Sequence, residues 1–149
     1  MTPQQIELVK TSWAMVSGNA DTVAALFYNK LFELDPSLRS LFKGNMKEQG
    51  KKLTLLLNIV VTQLDELDNL VPRIETLGQR HHRYGVQEAH FNTVGAALLW
   101  TLDQGLGPAF TPAVKGAWAH AYTVLASTMK SAMRTEFASR VTKELPIAV

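Results

Sequence analysis

Apolar residues recur along this chain three and four positions apart, and strict apolar–polar alternation is absent. That is the spacing of amphipathic helices. Ile6, Val9, Trp13 and Val16 mark one face of a first helix. Thr2 can cap it, Pro3 suits its first turn, and Gln5 completes a capping box. Gly18-Asn19-Ala20-Asp21 reads as a turn, with Asn19 or Asp21 capping a second helix to about Leu34. Asp35-Pro36 ends that helix and opens a short third one to about Phe42. Lys43-Gly44-Asn45 is a connection. A long helix then runs from about Lys47 to Leu67, with Gln49, Leu53, Leu56 and Val60 on one face. Another spans about Pro72 to Arg83, ended by Gly85 in a left-handed cap. A sixth runs from about Gln87 to Gln104 through Phe91, Val94, Leu98 and Leu102, and Gly105 to Pro108 form a loop. The last runs from about Pro112 to Lys143, with Val114, Trp118, Tyr122, Leu125 and Met129 inward. About seven helices on one chain predict an all-α fold, and their uneven lengths fit oblique packing better than an up-down bundle.

Composition narrows the function classes. A chain of 149 residues predicts a single domain, 1–149, with its core in about 3–143. It is 46% hydrophobic and 19% charged, which is the balance of a folded chain. A net charge of +2 and a pI near 9.0 are too slight for nucleic-acid binding, and no Lys/Arg run exceeds Lys51-Lys52. The absence of cysteine excludes disulfides and thiolate chemistry. The amino terminus lacks the basic start and apolar stretch of a signal peptide. The most apolar segment, Leu53 to Val61, is broken by Thr54 and Asn58 and is far short of a membrane span. No membrane partner is expected, and a cytoplasmic protein is.

Two positions carry candidate chemistry. His81 shares a helix face with Leu77, one turn earlier. A neutral imidazole binds iron through one ring nitrogen, and the other needs an acceptor, for which the Leu77 carbonyl is placed. A lone histidine in a helical protein is more often a surface or satisfied interior residue. His82 points about 100° around the helix, exposed or within reach of a haem propionate, and His90 and His120 read as structural or solvated. Gln49 leads an inward apolar stripe, where a buried amide must find partners; it is either wet near its helix start or a donor to a bound diatomic. Tyr28, in Leu26-Phe27-Tyr28, is either an ordinary core tyrosine or a second such donor. An imidazole on one helix and a hydrogen-bonding side chain on another, across an apolar slot, can hold haem. Trp13, Trp100 and Trp118 read as core.

At these residues the chain resembles the globin family, from Ile6 to about Met133. Gln49-Gly50-Lys51-Lys52-Leu53 is similar to the distal-helix stretch of haemoglobins, with glutamine in place of histidine. Phe42, seven residues before Gln49, matches the haem-stacking phenylalanine, Asp35-Pro36 the break between the second and third helices, and His81 the proximal histidine. Leu26-Phe27-Tyr28 resembles flavohaemoglobins, and Arg80-His81 with Tyr84-Gly85-Val86 resembles neuroglobin, so the chain looks most like bacterial single-domain globins related to both. The resemblance implies haem b (iron protoporphyrin IX), with His81 as the metal ligand and Phe42 stacked on the porphyrin. It implies Tyr28 and Gln49 as distal hydrogen-bonders, and Leu53, Leu77, Val86, Phe91 and Val94 as cofactor contacts. Lys52, and Arg83 or Tyr84, are implied at the propionates.

Two departures from flavohaemoglobins stand out. Their reductase half is not in this sequence, which ends at Val149. Phe91 also stands where they carry a proximal tyrosine, with Lys130 or Ser131 near their glutamate. The expected function is a haem protein that binds O2, CO and NO, as an oxygen carrier or store, monomeric or weakly dimeric. The alternatives are NO dioxygenation with a separate reductase, and a gas or redox sensor. Enzymatic status stays open.

Overall fold

The computed structural model describes residues 1–42, 44–83 and 86–144, with the backbone alone at 67–68, 81–83 and 135–144. Six α-helices and four 3₁₀ turns occupy it, with no strand among the described residues: α1 (Pro3–Val16), α2 (Ala20–Leu34), α3 (Met46–Thr62), α4 (Leu67–Arg83), α5 (His90–Leu106) and α6 (Pro112–Glu144). The expected short third helix is a 3₁₀ turn, Pro36–Leu41, so the count of about seven falls to six. Six residues that start at a proline and follow an Asp35 side-chain cap on the Ser37 N–H are too few for a stable α-helical segment.

The capping box forms as read: Thr2 Oγ1 accepts from the Gln5 N–H at 3.1 Å, and Gln5 Oε1 from the Thr2 N–H at 3.0 Å. Asn19 is the N-cap residue of α2 but makes no side-chain capping bond there. The long helix stops at Thr62, and α4 starts at Leu67, five residues ahead of its expected start. Pro72 lies inside α4. It removes one helical bond in the second turn, a cost the packing of that turn must outweigh, and Leu70, 2% exposed, is packed into the core. Helix α5 starts at His90, later than expected: the His90 N–H donates to the Gln87 carbonyl at 3.0 Å and the Phe91 N–H to the Glu88 carbonyl at 3.1 Å, bonds of a tighter turn than the α-helix. The expected Gly85 cap lies outside the described residues.

The core is divided. A larger cluster joins α1, α2, α3, α5 and α6 around Val9, Trp13, Phe27, Leu31, Leu57, Leu102 and Trp118. A smaller one joins α4, the first turn of α5 and the later part of α6 through Leu70, Ile74, Phe91, Ala126, Met129 and Met133. Trp13 and Trp118 meet edge to face, centroids 6.1 Å apart. Their indole N–H groups donate to Asn58 Oδ1 and Ser12 Oγ, so neither is orphaned by burial. Helix α3 packs along α2, and α4 packs along α6. The helix that carries Gln49 and the helix that carries His81 therefore rest on different partners, each bordering a different half of the core.

Candidate functional site

Tyr28 and Gln49 come together. Tyr28 is buried on the inner face of α2, and Gln49 lies half-buried in the first turn of α3, which Asn45 caps by accepting the Lys47 N–H at 2.8 Å. The two helices meet closely beside them: a Cβ at Gly50 would lie 2.9 Å from Ala24 Cβ, so glycine lets α3 settle on α2. Burial pushes the Tyr28 phenol above its usual range, and a side-chain hydrogen bond with Gln49 opposes that shift in part.

Aromatic rings fix where that hydroxyl sits. Tyr28 meets Phe27 edge to face at 5.1 Å and Phe42 at 5.4 Å, and it stacks on Phe32 at 6.1 Å. Phe42 follows the 3₁₀ turn, held by its own N–H donating to the Arg39 carbonyl at 3.1 Å. Phe42 thus packs against the Tyr28 and Phe32 rings, the latter also at 5.5 Å. Sequence reading left out Phe32; its spacing of four from Tyr28 was the available signal.

The other expected contacts lie on the margins of the two clusters. Phe42, Leu53 and Val94 are half-buried against the larger one. Leu77 and Val86 are half-buried against the smaller one, and Phe91 is buried in it. Lys52 is exposed on α3. His81 and Arg83 lie in the last turn of α4, and their side chains, like all of Tyr84, are outside the described residues. That turn is carried against α6 by Gly78, where a Cβ would come within 2.7 Å of the Met129 carbonyl oxygen. The expected inner stripe of α3 is shifted by one position. Gly50, Thr54, Leu57 and Val61 are its buried face, together with Val60, while Gln49, Leu53 and Leu56 stand half-buried beside it.

Phe91, expected where flavohaemoglobins carry tyrosine, has the Lys130 ammonium 5.8 Å over its ring. No group of three or more His, Asp or Glu side chains fit for a bare metal ion occurs among the described residues. No helix among them is long and apolar enough to cross a membrane.

The globin family model matches residues 25–129. The chain belongs to the globin family. It is 31% identical to a neuroglobin of Danio rerio, over 82% of this chain and 86% of that one. It is 30% identical to a flavohemoprotein of Bacillus subtilis over 81% of this chain but only 31% of that longer protein. Among solved structures, a bacterial globin from Campylobacter jejuni superposes with a TM-score of 0.81 at 25% identity, covering 92% of this globin and 99% of that chain. A candidate nitric oxide dioxygenase from Rhodothermus marinus, engineered as a carbene transferase, superposes at 0.86 with 28% identity, covering 95% and 99%. Globins bind haem, and haem binds diatomic gases.

Proposed function

We propose that this globin binds haem b through His81 and reversibly holds oxygen, and with it CO and NO, as a carrier or store. The observation that carries the reading is the pairing of Tyr28 with Gln49: a buried phenol with an amide beside it, among aromatic rings. The apolar side chains fit the group. Phe42, Leu53 and Val94 on one cluster and Leu77 and Val86 on the other are only half-buried, so each cluster keeps apolar surface for a flat apolar ring to cover. The cofactor supplies the iron at which a diatomic gas is held.

This chain's residues would do the rest. His81 would give the iron a nitrogen ligand from α4. Phe42 would pack on the ring, Leu53 and Val94 would exclude water, and Lys52, with Arg83 or Tyr84, would meet the propionates. Tyr28 and Gln49 direct an O–H and an N–H at a gas that carries partial negative charge. Each such bond contributes about 1 kcal/mol, more where water is excluded. Oxygen therefore gains more than CO. An amide is also a poor iron ligand beside imidazole, so Gln49 would act as a hydrogen-bond donor to the gas and not as a ligand to the metal.

Nitric oxide dioxygenation, with electrons from a separate reductase, is the second reading. The likeness to the Rhodothermus marinus protein and to the globin part of the flavohemoprotein favours it. Purification with haem, oxygen equilibrium binding and release, and mixing of the oxygenated protein with NO separate these readings. A carrier shows tight reversible oxygen binding and no sustained nitrate production with a reductase. A dioxygenase sustains turnover, and a protein that takes up no haem refutes both.

A further inference from the structure

Tyr122, in the first third of α6, borders both halves of the core. Its hydroxyl donates to the Phe91 carbonyl at 2.7 Å, and burial holds the phenol neutral, far above its usual range. Its ring is set into a gap in α5: a Cβ at Gly95 would come 2.8 Å from Tyr122 Cε2. Phe91 and Gly95 are one turn apart, so ring and hydroxyl hold the first turn of α5 at two points. Phe91 in turn is buried among Leu70 and Ile74 of α4 and Ala126, Met129 and Met133 of α6, with Leu77 at the edge. Ile74, Leu77 and His81 follow at helical spacing along α4.

We propose that Tyr122 is a positioning residue for the iron ligand: by tying the first turn of α5 to α6 it fixes Phe91, and Phe91 sets the seat of the α4 face on which His81 stands. The proposal rests on His81 being the ligand. A plain staple between α5 and α6 would add stability and nothing more, whereas a positioning contact alters how the imidazole meets iron.

The test is resonance Raman spectroscopy of the iron–histidine stretch in the ferrous, gas-free holoprotein. Tyr122→Phe keeps the ring in the Gly95 gap and removes only the hydroxyl, while Gly95→Ala pushes on the ring itself. Both should shift or broaden the band, and Tyr122→Phe should speed haem loss roughly 2- to 10-fold, the range of one net hydrogen bond. Ser12→Ala is the control. It strips the acceptor from the Trp118 indole at 2.8 Å, in the larger cluster and not the one that holds Phe91, and should lower stability without moving the band. A wild-type band that Tyr122→Phe leaves unmoved, beside a stability loss like that of Ser12→Ala, overturns the inference and leaves the haem reading intact. No iron–histidine band in the wild type overturns both.

Discussion

Tyr28→Phe separates the distal pair from the packing around it. The variant keeps the ring, and with it the edge-to-face contacts to Phe27 and Phe42 at 5.1 and 5.4 Å and the stack on Phe32 at 6.1 Å. What goes is one hydroxyl that is buried and paired with Gln49. For folding, the loss of that bond costs about 0.5–1.5 kcal/mol, and relief of the buried phenol's desolvation offsets part of it. Gln49 is only half-buried, so water can pair its freed amide. The net stability change should stay within about 1 kcal/mol. For gas binding nothing would offset the loss, because in the proposed site the O–H is the donor to the ligand. One bond near 1.4 kcal/mol is tenfold, so stopped-flow displacement of oxygen by CO should show release about 10-fold faster, with CO release nearly unchanged. Gln49→Leu should act in the same direction. The double variant should release oxygen less fast than the product of the two effects, since the groups touch. An oxygen release rate for Tyr28→Phe within twofold of wild type would refute the assignment of the pair.

Gly78→Ala should destabilise by about 1–3 kcal/mol in urea titration, because its Cβ meets the Met129 backbone at 2.7 Å and backbone cannot swing aside; an unchanged midpoint would mean that α4 and α6 are not in close contact there. Gly116→Ala, in α6 with nothing within 4 Å of its Cβ, should stabilise by about 0.5–1 kcal/mol from helix propensity alone, and a loss of stability would contradict the open space around it. Tyr28 and Tyr122 both have raised phenol pKa values in the fold. The stability they contribute is present in full below the unfolded value near 10 and is lost as pH rises above it. Urea midpoints should be level through mildly alkaline pH and fall beyond about pH 10, less steeply in Tyr122→Phe; a midpoint that rises there would reverse the sign.

Helices were legible from spacing because each has an apolar stripe, and the start of α1 was legible because its cap is local chemistry. The start of α4 was not. Proline reads as a first-turn residue, but burial of Leu70 between α4 and α6 carries the helix back to Leu67. The buried face of α3 was misread by one position because two of its members, Gly50 and Thr54, are not apolar. Gly50 is there for close approach, and the Thr54 hydroxyl is satisfied by the Gly50 and Lys51 carbonyls at 3.1 Å. Of the site, Tyr28, Gln49 and Phe42 could be named from motif resemblance, yet no sequence spacing shows that the first two touch. Tyr122 was read as core only, because its bond to Phe91 spans two helices far apart in the chain.

The proposed haem site stands or falls with His81 as the ligand to the cofactor's iron. Titration of apo wild type and His81→Gly with haem, followed by absorption with and without added imidazole, tests it most directly. Tight stoichiometric uptake is expected of the wild type, weak uptake with an altered spectrum of His81→Gly, and recovery of the wild-type spectrum when imidazole fills the space left by the side chain. Tight uptake by His81→Gly with an unaltered spectrum and no response to imidazole would contradict it.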